Sequence, residues 1–218
     1  PGTNLLIDKN FKIKFKNFWS KSKYNPNLNN LWKASKKLQK LIDFEFQNSF
    51  RSDKPVAFLL SGGIDSSIIS SIVNKYKIKA KFYSFKSKSK NYDETKNINI
   101  LKNKFKLNHQ FVHSNKSNNF KMLKKFICNF GFPLMSSTYL AYGSLCNKIS
   151  KDNKKVLISG NGGDEIFSGY YAHHMSYLLS IESKSYFKKK YREWEKNTKP
   201  YIRTSILKNL NEYKQLFK

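Results

Sequence analysis

Arginine is almost absent from this chain. Only Arg51, Arg192 and Arg203 occur, which leaves 39 of the 42 basic residues as lysine. Against 14 acidic residues the formal net charge is +28, a balance that by itself points to a polyanionic partner. Bidentate recognition of phosphates and base edges favours the arginine fork, however, and the lysines are scattered rather than blocked. They come with many Asn, Ile, Phe and Tyr, the residues of AT-rich codons. Composition therefore accounts for the charge, and no nucleic-acid partner is expected. No run of about 18 apolar residues occurs, so no membrane span is expected, and no apolar signal region opens the chain. It begins with Pro1 rather than Met, so a fragment or a processed piece is expected. The two cysteines, Cys128 and Cys146, have no metal-ligand neighbour at a useful spacing. Two buried free thiols in a cytoplasmic protein are expected. Internal repeats are absent.

What is present suits a globular protein. The 218 residues are 39% hydrophobic and 16% aromatic, enough to bury roughly 70% of the unfolded surface. Residues 4–8 and 11–16 read as two short strands joined by a turn. Residues 25–30 read as a loop, and 31–50 as a helix. From there strands alternate with helices: strands at 56–60, 81–85, 109–113 and 155–159, helices at 64–76, 92–105, 120–130 and 138–150. Beyond Phe167 the pattern is helical to the end, with Pro200 a break. This alternation implies βαβ units and a parallel sheet with helices on both faces. Ligands bind such sheets beyond the carboxyl ends of the strands, at a switch point.

The first chemical motif comes after the strand at 56–60. Ser61, Gly62 and Gly63 turn the chain, and Ile64, Asp65, Ser66 and Ser67 lead into a helix. Paired glycines permit close backbone approach to a ligand. Helix N-terminal and turn N–H groups attract anions, and three serines add hydroxyl donors. The guest this suits is phosphate. No Lys comes after the glycines, so this is not the G-x-x-x-x-G-K-[ST] loop. A carboxylate inside a phosphate turn makes sense where Mg²⁺ lies between them. The bland alternative is an ordinary strand-turn-helix corner. The second motif runs from Ser159 through Gly160, Asn161, Gly162, Gly163, Asp164 and Glu165 to Tyr170. Three glycines within four positions permit close approach, and two acidic residues would face the same crevice as the first turn.

With Tyr92, Asp93 and Glu94 between them and His109 beyond, the two motifs resemble those of the synthetase domain of glutamine-hydrolysing asparagine synthetases, in the N-type ATP pyrophosphatase superfamily. The resemblance covers most of residues 19–175. It implies an adenine-nucleotide α-hydrolase-like fold, with ATP as substrate and Mg²⁺ as cofactor. Ser61, Gly62, Gly63, Asp65, Ser66 and Ser67 would hold the pyrophosphate of ATP. Leu60 and Phe85 would meet the nucleoside, as would Ser159 and Gly160. Asp65 and Asp164 would hold the metal, and Glu165 would support its loop beside the reaction. The resemblance further implies that an aspartate carboxylate attacks the α-phosphorus, releasing pyrophosphate, and that ammonia then displaces AMP. Residues 1–18 would be the end of a preceding glutaminase-type domain or a linker, and 19–218 a C-terminally incomplete synthetase domain. A cytoplasmic setting and a candidate homodimer go with this reading.

The chain departs from the family pattern in two respects. The position after Ser159 and Gly160 is commonly Glu or Asp, and here it is Asn161, which can hydrogen-bond but cannot take a proton. That departure falls on a catalytic position and bears on the acceptor. Family members also continue well beyond Lys218, with further basic residues near the reacting groups. Lys188, Lys189, Lys190, Arg192 and Arg203 carry no motif that would replace them. No N-terminal cysteine nucleophile is present, so ammonia would come from a glutaminase domain outside this sequence or from solution. Three alternatives stay open: an amidotransferase acting on another carboxylate or a sugar, a tRNA-modifying relative, and an inactive nucleotide-binding fragment. His173 and His174 are adjacent and point about 100° apart on a helix, which does not suit one metal. Trp19, Trp32 and Trp194 read as packing residues. Tyr170 and Tyr171 read equally as crevice or core, and His109 as structural or at the crevice edge.

Overall fold

The computed structural model of the chain describes residues 2–20, 30–87, 89, 93–113, 116–136, 138–202 and 204–216. It divides into two compact units, Pro1–Arg51 and Ser52–Lys218. In the first, β1 (Thr3–Ile7) pairs antiparallel with β2 (Ile13–Asn17), Leu5 opposite Phe15. The Asp8 carboxylate accepts from the N–H groups of Asn10 at 2.8 Å and Lys12 at 2.9 Å. This turn starts the second strand two residues later than the alternation predicts. Helix α1 (Leu31–Ser49) begins at Asn30, whose side chain accepts from the N–H groups of Trp32 and Lys33, an N-cap. The predicted loop at 25–30 lies outside the described residues except for Asn30. No described residue of this unit is buried. Trp19 and Trp32, expected to pack, are accordingly 61% and 65% exposed.

The second unit carries the alternation: β3 (Val56–Leu59), α2 (Ile64–Lys75), β4 (Lys81–Lys86), α3 (Thr95–Phe105), β5 (His109–His113), α4 (Lys116–Phe130), α5 (Thr138–Lys151) and β6 (Val156–Ile158). The four strands form one parallel sheet in the order β5-β4-β3-β6. This is the α/β class expected. Successive side chains point to opposite faces. Ala57, Tyr83 and Val112 face one way and pack on Leu145 and Ile149 of α5. Phe58, Leu60, Phe82 and Ser84 face the other, and all are nearly fully buried. The chain builds outward from β3 in one direction through β4 and β5, then returns to place β6 on the other side of β3. The switch point therefore lies between β3 and β6.

Several boundaries differ from the periodicity for local reasons. Helix α3 starts at Thr95 because the Asp93 carboxylate accepts the Thr95 N–H at 3.0 Å; Tyr92 lies outside the described residues. Helix α4 starts four residues before the predicted Phe120. Helix α6 (Gly163–Phe167) ends where the helical run was expected to begin, and the run beyond it is several helices, α7 (Tyr171–Leu179), α8 (Lys184–Asn197) and α9 (Leu210–Gln215), with 3₁₀ turns at Lys199–Tyr201 and Ser205–Lys208. Helix α6 stops at Ser168, which takes a left-handed φ of 59°. Ser183 caps α8, and Pro200 stands in the first 3₁₀ turn, where a break was expected. Met175, Leu178, Trp194, Ile202 and Tyr213 give these helices a core of their own.

Both cysteines, expected to be buried, are exposed free thiols. Helix α4 meets α5 where Phe126 and Met122 close on Gly143. Cys128 is two residues past Phe126, on the opposite side of its helix, and Cys146 turns away from the sheet beside buried Leu145. No described helix is long and apolar enough to cross a membrane.

Candidate functional site

The turn after β3 and the turn after β6 border one crevice of about 490 Å³ at the switch point. Its lining includes Ser61, Gly63, Asp65 and Ser66 from the first motif. From the second it takes Ser159, Gly160, Asn161, Asp164 and Glu165. Leu59, Tyr142, Gly162 and Tyr170 complete it. A larger concavity of about 620 Å³ lies at the opposite ends of β4 and β5, with Lys77, Lys79, Lys81, Lys106 and Lys154 around it. It has neither a glycine-rich turn nor a carboxylate among its lining residues, whereas both motifs line the smaller crevice.

The first turn is held by its own serines. Ser66 Oγ donates to the Gly63 carbonyl at 3.1 Å and accepts the Ser61 N–H at 3.2 Å. Ser67 Oγ donates to the same carbonyl at 2.7 Å, and the Gly63 N–H reaches Ser61 Oγ at 3.3 Å. These hydroxyls shape the loop. Gly62 has φ +76° and lies against Asn97 and Ile98 of α3, a conformation and a space that favour glycine. Gly63 is the N-cap of α2 and provides no side-chain cap. The first N–H groups of a 12-residue helix are thus directed to the crevice, the arrangement that attracts anions.

Asp65, in the first turn of α2, joins the two motifs. A Cβ built on Gly160 would come within 2.8 Å of Asp65 Cβ. One built on Gly163 would meet the carboxyl group itself. The glycines of the second turn are therefore what allow Asp65 to enter the crevice. Burial pushes the Asp65 carboxyl above its ordinary pKa, and the nearby Asp164 and Glu165 push it the same way. Among the described residues no Lys, Arg or His forms an ion pair with Asp65 or Asp164. In a chain of net charge +28, these carboxylates crowd one another without a paired cation among the described residues. No three described His, Cys, Asp or Glu side chains converge as a metal-ligand set. Two carboxylates with remaining positions left to phosphate oxygens and water are what Mg²⁺ commonly takes.

Glu165 has a different environment. It accepts from the Tyr170 hydroxyl at 2.7 Å, and this bond holds its carboxyl below the usual range. Tyr170 is thereby a crevice residue that braces the loop. Asn161 Oδ1 accepts from Tyr142 Oη at 3.3 Å, which leaves the amide NH₂ as the other polar group of this lining side chain. Leu60 and Phe85 are not among the lining residues. Leu60 is 1% exposed, and Phe85 packs against the core on the α5 face. Gly62 and Ser67 likewise stand behind the lining. His109 is half-buried next to Ser84, and burial drops its pKa to about 4, helped by Lys102. His173 and His174 lie on α7, half-buried and outside the crevice lining. Tyr142 carried no sequence signal, because only the packing of α5 on the sheet brings it to the second turn.

The asparagine synthase family model matches residues 37–215. A relative from Methanocaldococcus jannaschii, provisionally named asparagine synthetase [glutamine-hydrolyzing] 2, is 28% identical over 183 residues, covering 82% of this chain and 35% of its own length. Asparagine synthetase [glutamine-hydrolyzing] 1 of Bacillus subtilis is 26% identical over 170 residues, 78% of this chain and 27% of its own length. The chain thus spans about a third of the length of these relatives. Among solved structures, the NH3-dependent NAD synthetase of Campylobacter jejuni overlaps it loosely. The TM-score is 0.40 and the identity 16%, covering 86% of this chain and 96% of that one. The NMN synthetase of Francisella tularensis does so with TM-score 0.40 and 14% identity, covering 68% and 59%.

Proposed function

The chain belongs to the asparagine synthase family, and from that premise we propose that its crevice binds ATP and activates a carboxylate for amide formation. A carboxylate oxygen attacks the α-phosphorus and pyrophosphate leaves. Ammonia then attacks the acyl carbon and AMP leaves. Aspartate is the proposed acceptor, and glutamine, hydrolysed in a glutaminase domain, the proposed source of ammonia. Residues 1–18 are proposed as the end of such a domain, with the synthetase part beginning at 19. A homodimer in the cytoplasm is the proposed setting.

The observation that carries this reading is the meeting of Asp65 and Asp164, unpaired among the described residues, at the open N-terminus of α2. The turn N–H groups and the helix terminus would bind the β- and γ-phosphates, which leave as pyrophosphate. Asp65 and Asp164 would hold Mg²⁺, which neutralises charge on the phosphates when bound. Ser159 and Gly160 would border the nucleotide. Leu60 and Phe85 would stand behind the nucleoside side, at the ends of the strands that border it. Such chemistry depends on positioning and charge stabilisation more than on a strong base, and the crevice contains no histidine among its lining residues. Glu165, engaged by Tyr170, would hold the loop rather than transfer a proton.

One observation favours a second reading of the acceptor. Asn161, with its carbonyl bound to Tyr142, presents an amide donor where the family carries an acid. That suits a carboxylate substrate lacking the ammonium group of aspartate. The deciding experiment is pyrophosphate release from ATP, Mg²⁺ and ammonia across a panel of carboxylates. Aspartate is expected to give the highest rate. Release with another carboxylate only would favour the second reading, and no release with any would refute amide formation.

A further inference from the structure

Ser84, in the middle of β4 and 2% exposed, donates its hydroxyl hydrogen to the Leu60 carbonyl in a short bond. This happens where the β3–β4 ladder ends. Leu59 opposite Tyr83 is the last registered pair, and the Leu60 N–H still reaches the Tyr83 carbonyl at 2.9 Å. A side chain thus takes the place of a strand N–H on the last carbonyl before Ser61. With its single hydrogen committed there, Ser84 Oγ accepts from His109 Nε2, 2.7 Å away. This fixes the His109 tautomer: Nε2 carries the proton and Nδ1 is bare. Nδ1 is buried with no hydrogen-bond partner among the described residues, an unfavourable state that an apolar residue would avoid. Phe111 packs edge-on against the ring at 4.6 Å. The low pKa of the ring keeps it neutral near pH 7.

We infer that His109 is a positioning residue for the phosphate turn: through Ser84 it fixes the Leu60 carbonyl and so the direction in which residues 61–63 leave the sheet. The inference rests on the proposed binding of ATP. It spans three adjacent strands, from β5 through β4 to the end of β3, and reaches the crevice without contributing an atom to it.

The test is the Kd for Mg-ATP, together with the melting temperature, in the wild-type protein and in Ser84→Ala, His109→Phe, His109→Gln and the Ser84→Ala/His109→Phe double variant. Ser84→Ala and His109→Phe are each expected to weaken binding roughly tenfold, and the double variant no further, because the residues act in one chain. His109→Gln keeps an N–H donor and is expected to recover most of the affinity. Single variants that melt lower but bind Mg-ATP within about twofold of the wild type would reduce His109 to a structural role and overturn the inference. Additive losses in the double variant would overturn it as well. If His109→Phe fails to fold, His109→Leu replaces it and is held to the same outcomes beside Ser84→Ala. A wild-type protein that does not bind Mg-ATP overturns the ATP reading, and this inference with it.

Discussion

Gly163 lies so close to Asp65 that a Cβ at position 163 would sit 2.5 Å from the Asp65 carboxyl carbon and 2.6 and 2.7 Å from its oxygens. The two residues come from different turns, one after β3 and one after β6. The glycine of the second motif is thus explained by the aspartate of the first. Gly163→Ala is expected to move Asp65 and lower pyrophosphate release about 100-fold, the order of loss a small misplacement of a reacting group brings. Overpacking at this point should cost about 1–3 kcal/mol of stability. Steady-state assay beside a denaturant titration checks both. Unchanged turnover would separate the second turn from the positioning of Asp65.

Asp65 itself should trade stability for function. Its folded pKa lies above the ordinary 3.8, so the folded chain holds this proton more tightly than the unfolded one. The contribution to stability is present below pH 3.8 and is lost as pH rises through the folded value. Above the folded value the penalty is complete. Asp65→Asn is therefore expected to melt higher than the wild type at pH 7, with the difference closing on acidification. The same variant is expected to lose pyrophosphate release by about 100-fold or more. Calorimetry across pH, with and without Mg-ATP, reads the effect. A lower melting temperature at pH 7 would contradict the strained-carboxylate account.

At the other end of the sheet the charges are matched. Asp152 accepts from Lys81 and Lys148, both at 2.6 Å, and from Tyr83 Oη at 2.7 Å. The lysines and the tyrosine hold its carboxyl well below the usual range. Its contribution is present above the ordinary carboxylate value and lost as pH falls. Burial and the same bond push the Tyr83 hydroxyl up, so its contribution is present below pH 10 and lost at higher pH. Asp152→Asn is expected to lower the melting temperature at pH 7 and to flatten its fall in acid. Mg-ATP affinity should stay within about twofold, because the residue stands outside the crevice. A change in affinity comparable to that of Asp65→Asn would refute the separation of the two ends.

The two turns were legible in the sequence because each packs its signal into a few adjacent residues: glycines, a carboxylate and a strand before them. The alternation of β3, α2, β4, α3 and β5 was legible from periodicity. Adjacency was not. Nothing in the order of residues says that Val156 pairs with Val56, and the meeting of Asp65 with Gly163 depends on that pairing. The Ser84 bond to Leu60 depends on register, and Tyr142 reaches Asn161 only through the packing of α5. The outward placement of Cys128 and Cys146 escaped for a similar reason, since it is decided by which side of each helix its neighbour covers. The breaks at Ser168 and Ser183 arise from a left-handed residue and a serine cap within a run that is periodic on both sides.

Asn161 offers the sharpest test of the acceptor. Its Oδ1 is engaged by Tyr142 at 3.3 Å, so the side-chain group not used in that bond is a hydrogen-bond donor without charge. A glutamate there would add a negative charge to the crevice that holds Asp65, whose pKa is already raised by burial and then by Asp164 and Glu165. Without a bound cation that charge is unfavourable; opposite the ammonium group of aspartate it is favourable. Asn161→Glu is therefore expected to melt lower than the wild type in the absence of ligand. It is also expected to gain about tenfold in kcat/KM for aspartate, which corresponds to about 1.4 kcal/mol, with KM for ATP little changed. Carboxylates without an ammonium group should lose in the same variant. A gain confined to those carboxylates, or a rise in KM for ATP alone, would place Asn161 on the nucleotide side of the crevice and remove it from acceptor choice.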